Sequence, residues 1–132
     1  MSRISTLILL AAGVTHYTAA HAETYAEAEQ KAQASTTDPT LHDWYSKQMQ
    51  PEFRARFRLA LEQCMNRQQS RPDRVDLVFT VETDGSVGQI LWKERSAFTD
   101  CLGGFFTNAL FPRPPKGVFY FGVGAQLPNS SR

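Results

Sequence analysis

The chain has 132 residues, with 14 Lys or Arg against 13 Asp or Glu, for a formal net charge of +1. That length suits one domain, and so even a charge balance gives no support to a nucleic-acid partner. Of the three histidines, His16 and His21 lie in the first 22 residues, so only His42 would remain after removal of that segment; that is too few for a multi-histidine metal centre, and neither a metal nor a cofactor is expected.

Residues 1–22 show the three zones of a secretory signal. Arg3 supplies the positive start, Ile4 to Val14 form an apolar run of 11 residues, and Ala20-His21-Ala22 is a small-x-small cleavage site before Glu23. Spanning a bilayer takes roughly 20 apolar residues, so a cleaved signal is expected rather than a stable membrane anchor. The expected destination is a bacterial periplasm. Loss of Arg3, His16 and His21 leaves 13 basic residues, 13 acidic ones and a single histidine, His42. One imidazole allows at most one triad base. Its helical neighbours Asp43 and Ser46 do not hold nucleophile–base geometry, and no catalytic residue is assigned.

Residues 23–40 are rich in Ala, Glu, Gln and Thr with one aromatic, Tyr25. The first part is compatible with a frayed helix that breaks around Pro39, but so little apolar surface reads as a flexible leader or short spacer. The folded domain is expected over residues 41–127, with a disordered tail over 128–132. Leu41, Trp44, Tyr45 and Met49 suggest a short helix. Pro51 fits the first turn of a longer one, where its missing N–H costs nothing. Phe53, Phe57, Leu61 and Cys64 then recur at helical spacing to about Gln69. Arg54, Arg56, Arg58, Arg67, Arg71 and Arg74 fan around this region and read as a solvated surface.

Val75 to Glu82 alternates, with Val75, Leu77, Phe79 and Val81 on one face. Thr83-Asp84-Gly85-Ser86 is turn chemistry and Val87 to Glu94 returns, so the stretch is a β-hairpin. Asp73, Asp76, Glu82 and Asp84 around it read as a solvated face. Ser96 is an N-cap for a helix over Ala97 to Leu110. Gly103 and Gly104 inside that helix cost about 1 kcal/mol each relative to Ala, and close approach to the sheet is the simplest compensation. Phe111-Pro112-Arg113-Pro114-Pro115 is an extended connector. Val118 to Val123 is a third strand, apolar on both sides, either central or at an edge open to β-augmentation.

In an exported chain two cysteines are more often bridged than free. Cys64 and Cys101 lie on the inward stripes of the two helices, so a disulfide is expected, with a pair of buried thiols as the alternative. No Cys-x-x-Cys spacing favours redox catalysis.

The hairpin VDLVFTVETDGSVGQILW, the helical CLGGFF, the Phe111-Pro112-x-Pro114-Pro115 connector and the strand VFYFGV together resemble the TonB C-terminal domain family. The cysteine pair is similar to its AgmX/PglI-type variants. The resemblance covers about Phe53 to Val123. It implies an α+β fold with two helices on one face of a three-stranded antiparallel sheet, and a module that works by binding. In the transducer members a sheet edge meets an extended segment of an outer-membrane receptor. No proline-rich, charge-alternating linker precedes this domain, so the module and its mode of recognition are what carry over.

The expected function is non-enzymatic: an exported interaction module that adds a strand at Val118, Phe119, Tyr120, Phe121, Gly122 and Val123. The partner is a protein of the cell envelope or a second copy of the chain. The alternatives are a secreted inhibitor or immunity-type protein, and a small-ligand-binding periplasmic protein.

Overall fold

A computed structural model describes residues 22–128. The secretory signal expected over residues 1–22, apart from Ala22, and the tail expected over 128–132, apart from Pro128, lie outside the described residues. The class is α+β: three helices and one antiparallel sheet.

The strands are β1 (Arg74–Val81), β2 (Val87–Trp92) and β3 (Phe119–Gln126), in the order β2-β1-β3. The alternation read from the hairpin is realised: Val75, Leu77, Phe79 and Val81 are all buried on one face. β1 and β3 pair without interruption from Arg74↔Gln126 to Val81↔Phe119. The β1–β2 ladder slips between Phe79 and Val81, a bulge that bends β2. At the hairpin turn Gly85 has φ of 90°, a conformation that favours glycine. Its carbonyl accepts from the Phe111 N–H at 2.8 Å, and a Cβ there would strike the Phe111 carbonyl. The turn is thereby tied to the connector.

Two helices cover the alternating apolar face. A helical run, His42–Trp44 and then Tyr45–Met49 with π geometry, leads into the long helix Gln50–Arg67. Pro51 sits in the first turn of the latter, after a wide turn in which the Gln50 N–H reaches the Tyr45 carbonyl. We number the helices α1 (Tyr25–Thr37), α2 (Gln50–Arg67) and α3 (Ala97–Phe106). Ser96 caps α3 through a reciprocal pair of hydrogen bonds with Thr99, which satisfies orphan N–H groups of its first turn. The rings of Phe53, Phe106, Phe111 and Phe121 surround Phe79 at centroid distances of 5.1–5.8 Å, or 5.9 Å for Phe106. Cys64 and Cys101 are bridged, their Cα atoms 5.8 Å apart.

The flexible leader expected over 23–40 is instead helix α1, laid across the opposite face of the sheet. Its buried residues are only Ala28 and Ala32, which pack with Val78 and are flanked by Tyr25, Leu91 and Tyr120. Small residues let the backbone come close, and Thr24 caps the helix by accepting from the Glu27 N–H at 3.2 Å. The molecule therefore has three layers where two were expected.

Three further boundaries differ. α3 ends at Phe106 rather than Leu110, and β2 ends at Trp92 rather than Glu94. β3 begins at Phe119 and runs to Gln126, so Val118 precedes the strand. The compensation expected for the helical glycines is also not found. Gly103 lies beside Trp92 with room for a Cβ at 3.7 Å, and nothing lies within 4 Å of one at Gly104.

Closing a loop of 37 residues, the disulfide is worth about 4 kcal/mol in the chain-entropy model. Replacing both cysteines by serine should lower the unfolding free energy in urea by several kcal/mol, and an unchanged midpoint would contradict that role. The glycines give opposite signs. Gly104→Ala should raise stability by roughly 0.5–1 kcal/mol, whereas Gly85→Ala should lower the melting temperature because φ and the Phe111 carbonyl both oppose a side chain.

Candidate functional site

The antiparallel register fixes which backbone groups of β3 are engaged. Leu127 donates its N–H to the Asp73 carbonyl at 2.8 Å, so odd-numbered residues of β3 face β1 and even-numbered ones face away. The N–H and C=O groups of Tyr120, Gly122, Gly124 and Gln126 thus form an outer row, with no further strand beside it among the described residues. β3 spans eight residues without a charge or a proline, lacking the usual protections of an edge. The other edge, β2, is shorter, bulged, and followed by Lys93, Glu94 and Arg95.

A depression lies against this edge on each face of the sheet. Between α1 and β3 is one of about 510 Å³, bordered by Tyr25, Glu29, Gln33, Thr36 and the Arg74–Asp76 pair. On the opposite face is a smaller one of about 190 Å³, bordered by Tyr45, Gln50, Phe53, Arg54 and Phe121. Gly122, Val123 and Gly124 belong to both. The two hollows meet at the edge itself.

Gly122 and Gly124 shape the first hollow. A Cβ on Gly122 would come within 3.3 Å of the Ala32 Cβ, and one on Gly124 would meet the Arg74 guanidinium. Without those side chains α1 approaches closely and Arg74 and Asp76 are reached from the edge. Arg74 Nε donates to both carboxylate oxygens of Asp76, at 3.0 and 2.9 Å.

Of the six residues expected to form the binding strand, Phe119 and Phe121 are turned into the core and buried. They carry the strand through backbone groups and packing. Tyr120 faces α1, where its hydroxyl donates to Glu23 Oε2 at 3.0 Å. Gly122 is exposed and Val123 half-buried. Val118 is exposed before the strand. Gly124, Ala125 and Gln126 complete the edge and were missed. The Gly-x-Gly-Ala-Gln continuation after Phe121 was the available signal, since glycine in a strand marks close approach by another backbone.

α1 is held to β3 by one polar cluster. Glu23 Oε2 accepts from Tyr120, from Lys31 Nζ at 3.3 Å and from Gln89 Nε2 at 3.4 Å. Burial pushes the Glu23 carboxyl up, but the hydrogen bonds from Tyr120 and Lys31 outweigh it and hold the group below its ordinary value of 4.5. Burial, and then Glu23 itself, push the Tyr120 phenol up.

Other polar groups have separate structural partners. Ser46 Oγ donates to the His42 carbonyl at 2.8 Å rather than to an imidazole. Glu82 accepts from Thr80 Oγ, and Asp84 from the N–H and hydroxyl of Ser86. Among the described residues no three or more His, Cys, Asp or Glu converge as for a metal ion. None of the described helices is long and apolar enough to cross a membrane.

Comparison with family models, with curated proteins and with solved structures gave no match.

The Glu23 cluster has a pH signature. A carboxyl with a lowered folded pKa contributes stability that is present above its ordinary value and is lost as pH falls through the folded one. Thermal melts should therefore show α1 loosening below about pH 4.5. Glu23→Gln should be less stable than the parent at pH 7 and decline less between roughly pH 5 and pH 3. Parallel curves for the two proteins would rule out Glu23 as the acid-sensitive anchor.

Proposed function

We propose that this chain is an exported, non-enzymatic interaction module that captures an extended polypeptide segment by adding it as a fourth strand at β3. One observation carries the reading: the edge is long, regular and uncharged, and hollows on both faces meet at Gly122–Gly124. A strand laid against it would gain main-chain hydrogen bonds from the outer row. Its alternate side chains would enter the two hollows, which is how β-augmentation combines affinity with specificity.

The resemblance to the TonB C-terminal domain family supports this reading, because binding at a sheet edge is how the transducer members act. The secretory signal read from residues 1–22 supports a periplasmic partner of the cell envelope. The Cys64–Cys101 bridge is compatible with that compartment. Pairing with β3 of a second copy is the same chemistry with a different occupant.

A small-ligand reading is favoured by one specific feature. Tyr25, Glu29, Arg74 and Asp76 converge on the 510 Å³ hollow, as polar groups do in ligand sites. Against it, Arg74 and Asp76 are already bonded to each other.

Hydrogen exchange with residue resolution tests strand addition. In the free monomer the amides of Tyr120, Gly122, Gly124 and Gln126 should exchange quickly while Phe121 and Val123 are protected. Adding a bound segment should protect the first set. Equal protection of both sets in the monomer would mean the edge is already occupied and would end the proposal.

A further inference from the structure

The two hollows beside β3 differ in charge, and the difference specifies a partner. On the α2 side the lining is aromatic, with Tyr45, Phe53 and Phe121, and its one charged residue is Arg54. Arg54 is exposed and makes no ion pair among the described residues. One turn further along α2, Arg58 joins Arg54 beside an apolar groove of about 410 Å³, with Phe57, Leu61 and Met65, that reaches Pro128 just past the end of β3. Glu62 stands at the same groove, leaving that side positive by one charge.

On the α1 side the lining is mixed, with Tyr25, Ala32 and Val78 beside Gln33, Thr36 and Thr37. Arg74 and Asp76 cancel each other there. Glu29 remains, exposed and without an ion pair among the described residues. This side is negative by one charge.

A strand presents alternate residues to opposite faces, so each hollow reads every second residue of whatever lies on the edge. Resting on the strand-addition reading above, we infer that the preferred partner is an extended segment of alternating character. One set of alternate residues is apolar or acidic and faces Phe53, Phe121 and Arg54. The other set is small or basic and faces Tyr25, Gln33, Thr36 and Glu29. A segment with its charges exchanged between the sets meets Arg54 with a cation and Glu29 with an anion whenever its apolar residues are seated, and is disfavoured.

The test uses the oxidised full chain and two blocked eight-residue peptides of identical composition. The first alternates valine or glutamate with threonine or lysine; the second has glutamate and lysine exchanged. Titration by fluorescence anisotropy at low salt should show the first binding about tenfold more tightly, since two favourable pairs replace two unfavourable ones. Arg54→Glu should shrink or invert the preference, as should Glu29→Lys, and both are exposed positions whose substitution leaves the core untouched. Half-molar salt should narrow the gap. Equal affinities, with the outer amides of β3 protected by both peptides, would overturn the inferred chemistry and leave strand addition standing. Binding of neither peptide would overturn both.

Discussion

Among the described residues β1 is the only strand with a neighbour on each side, and the rest of the fold is arranged by its need for cover on both faces. Val75, Leu77, Phe79 and Val81 point one way, and Val78 and Thr80 the other, all of them nearly or fully buried. Two layers would leave Val78 in water and the Thr80 hydroxyl on an open surface. The third layer resolves this: Ala28 and Ala32 of α1 close over Val78. Thr80 Oγ, meanwhile, accepts from the Gln89 N–H at 2.9 Å and donates to Glu82, which avoids the cost of an unmet buried polar group. Burial of β1 on both sides fixes where α1, α2 and α3 must lie. What remains uncovered is the two edges, of which β3 is the longer and more regular.

The elements legible in the sequence are those whose side chains carry a strong period. β1 alternates over its whole length. The turn at Gly85 needs a residue tolerant of positive φ, and α3 shows its cap at Ser96 and its apolar stripe at Phe98, Leu102 and Phe106. The cysteine pairing was legible because each cysteine lies on the inner stripe of its helix. α1 was not legible, because alanine at positions 28 and 32 scarcely distinguishes an inner from an outer face. The indirect signal was on the sheet. Val78, Leu91 and Tyr120 fall on the face that α2 and α3 do not cover, and apolar surface there demanded a partner. Residues 25–37 supply it.

The edge was half legible. A strand as apolar as Phe119–Val123 reads equally as central or peripheral, because strand order is decided by connections that no local period records. Here Phe111 is docked on the hairpin turn through Gly85, and the connector then carries the chain to the side of β1 opposite β2. Phe119 and Phe121 are buried in the core while the outer backbone row of the same strand stays open. Apolar character reported the packing of β3; the register with β1 reported the edge.

The two sides of that edge are held by different physics. α2 is tied to α3 by a covalent bridge and to the core by Phe53 and Cys64, and Arg56 adds hydrogen bonds to Glu52 and to the Leu110 carbonyl. α1 is held by two alanines and by the polar cluster at Glu23, with Lys116 reaching Asp38 at its far end at 3.5 Å. Small apolar contacts and exposed ion pairs contribute far less than a packed aromatic core and a disulfide. The wall on the α2 side is therefore the more strongly held of the two. For the proposed capture of a segment, the firmly held aromatic wall with Arg54 sets which residues seat well. On the other side Gly122 keeps α1 near the strand, since a Cβ there would lie 3.3 Å from the Ala32 Cβ, tighter than an ordinary van der Waals contact.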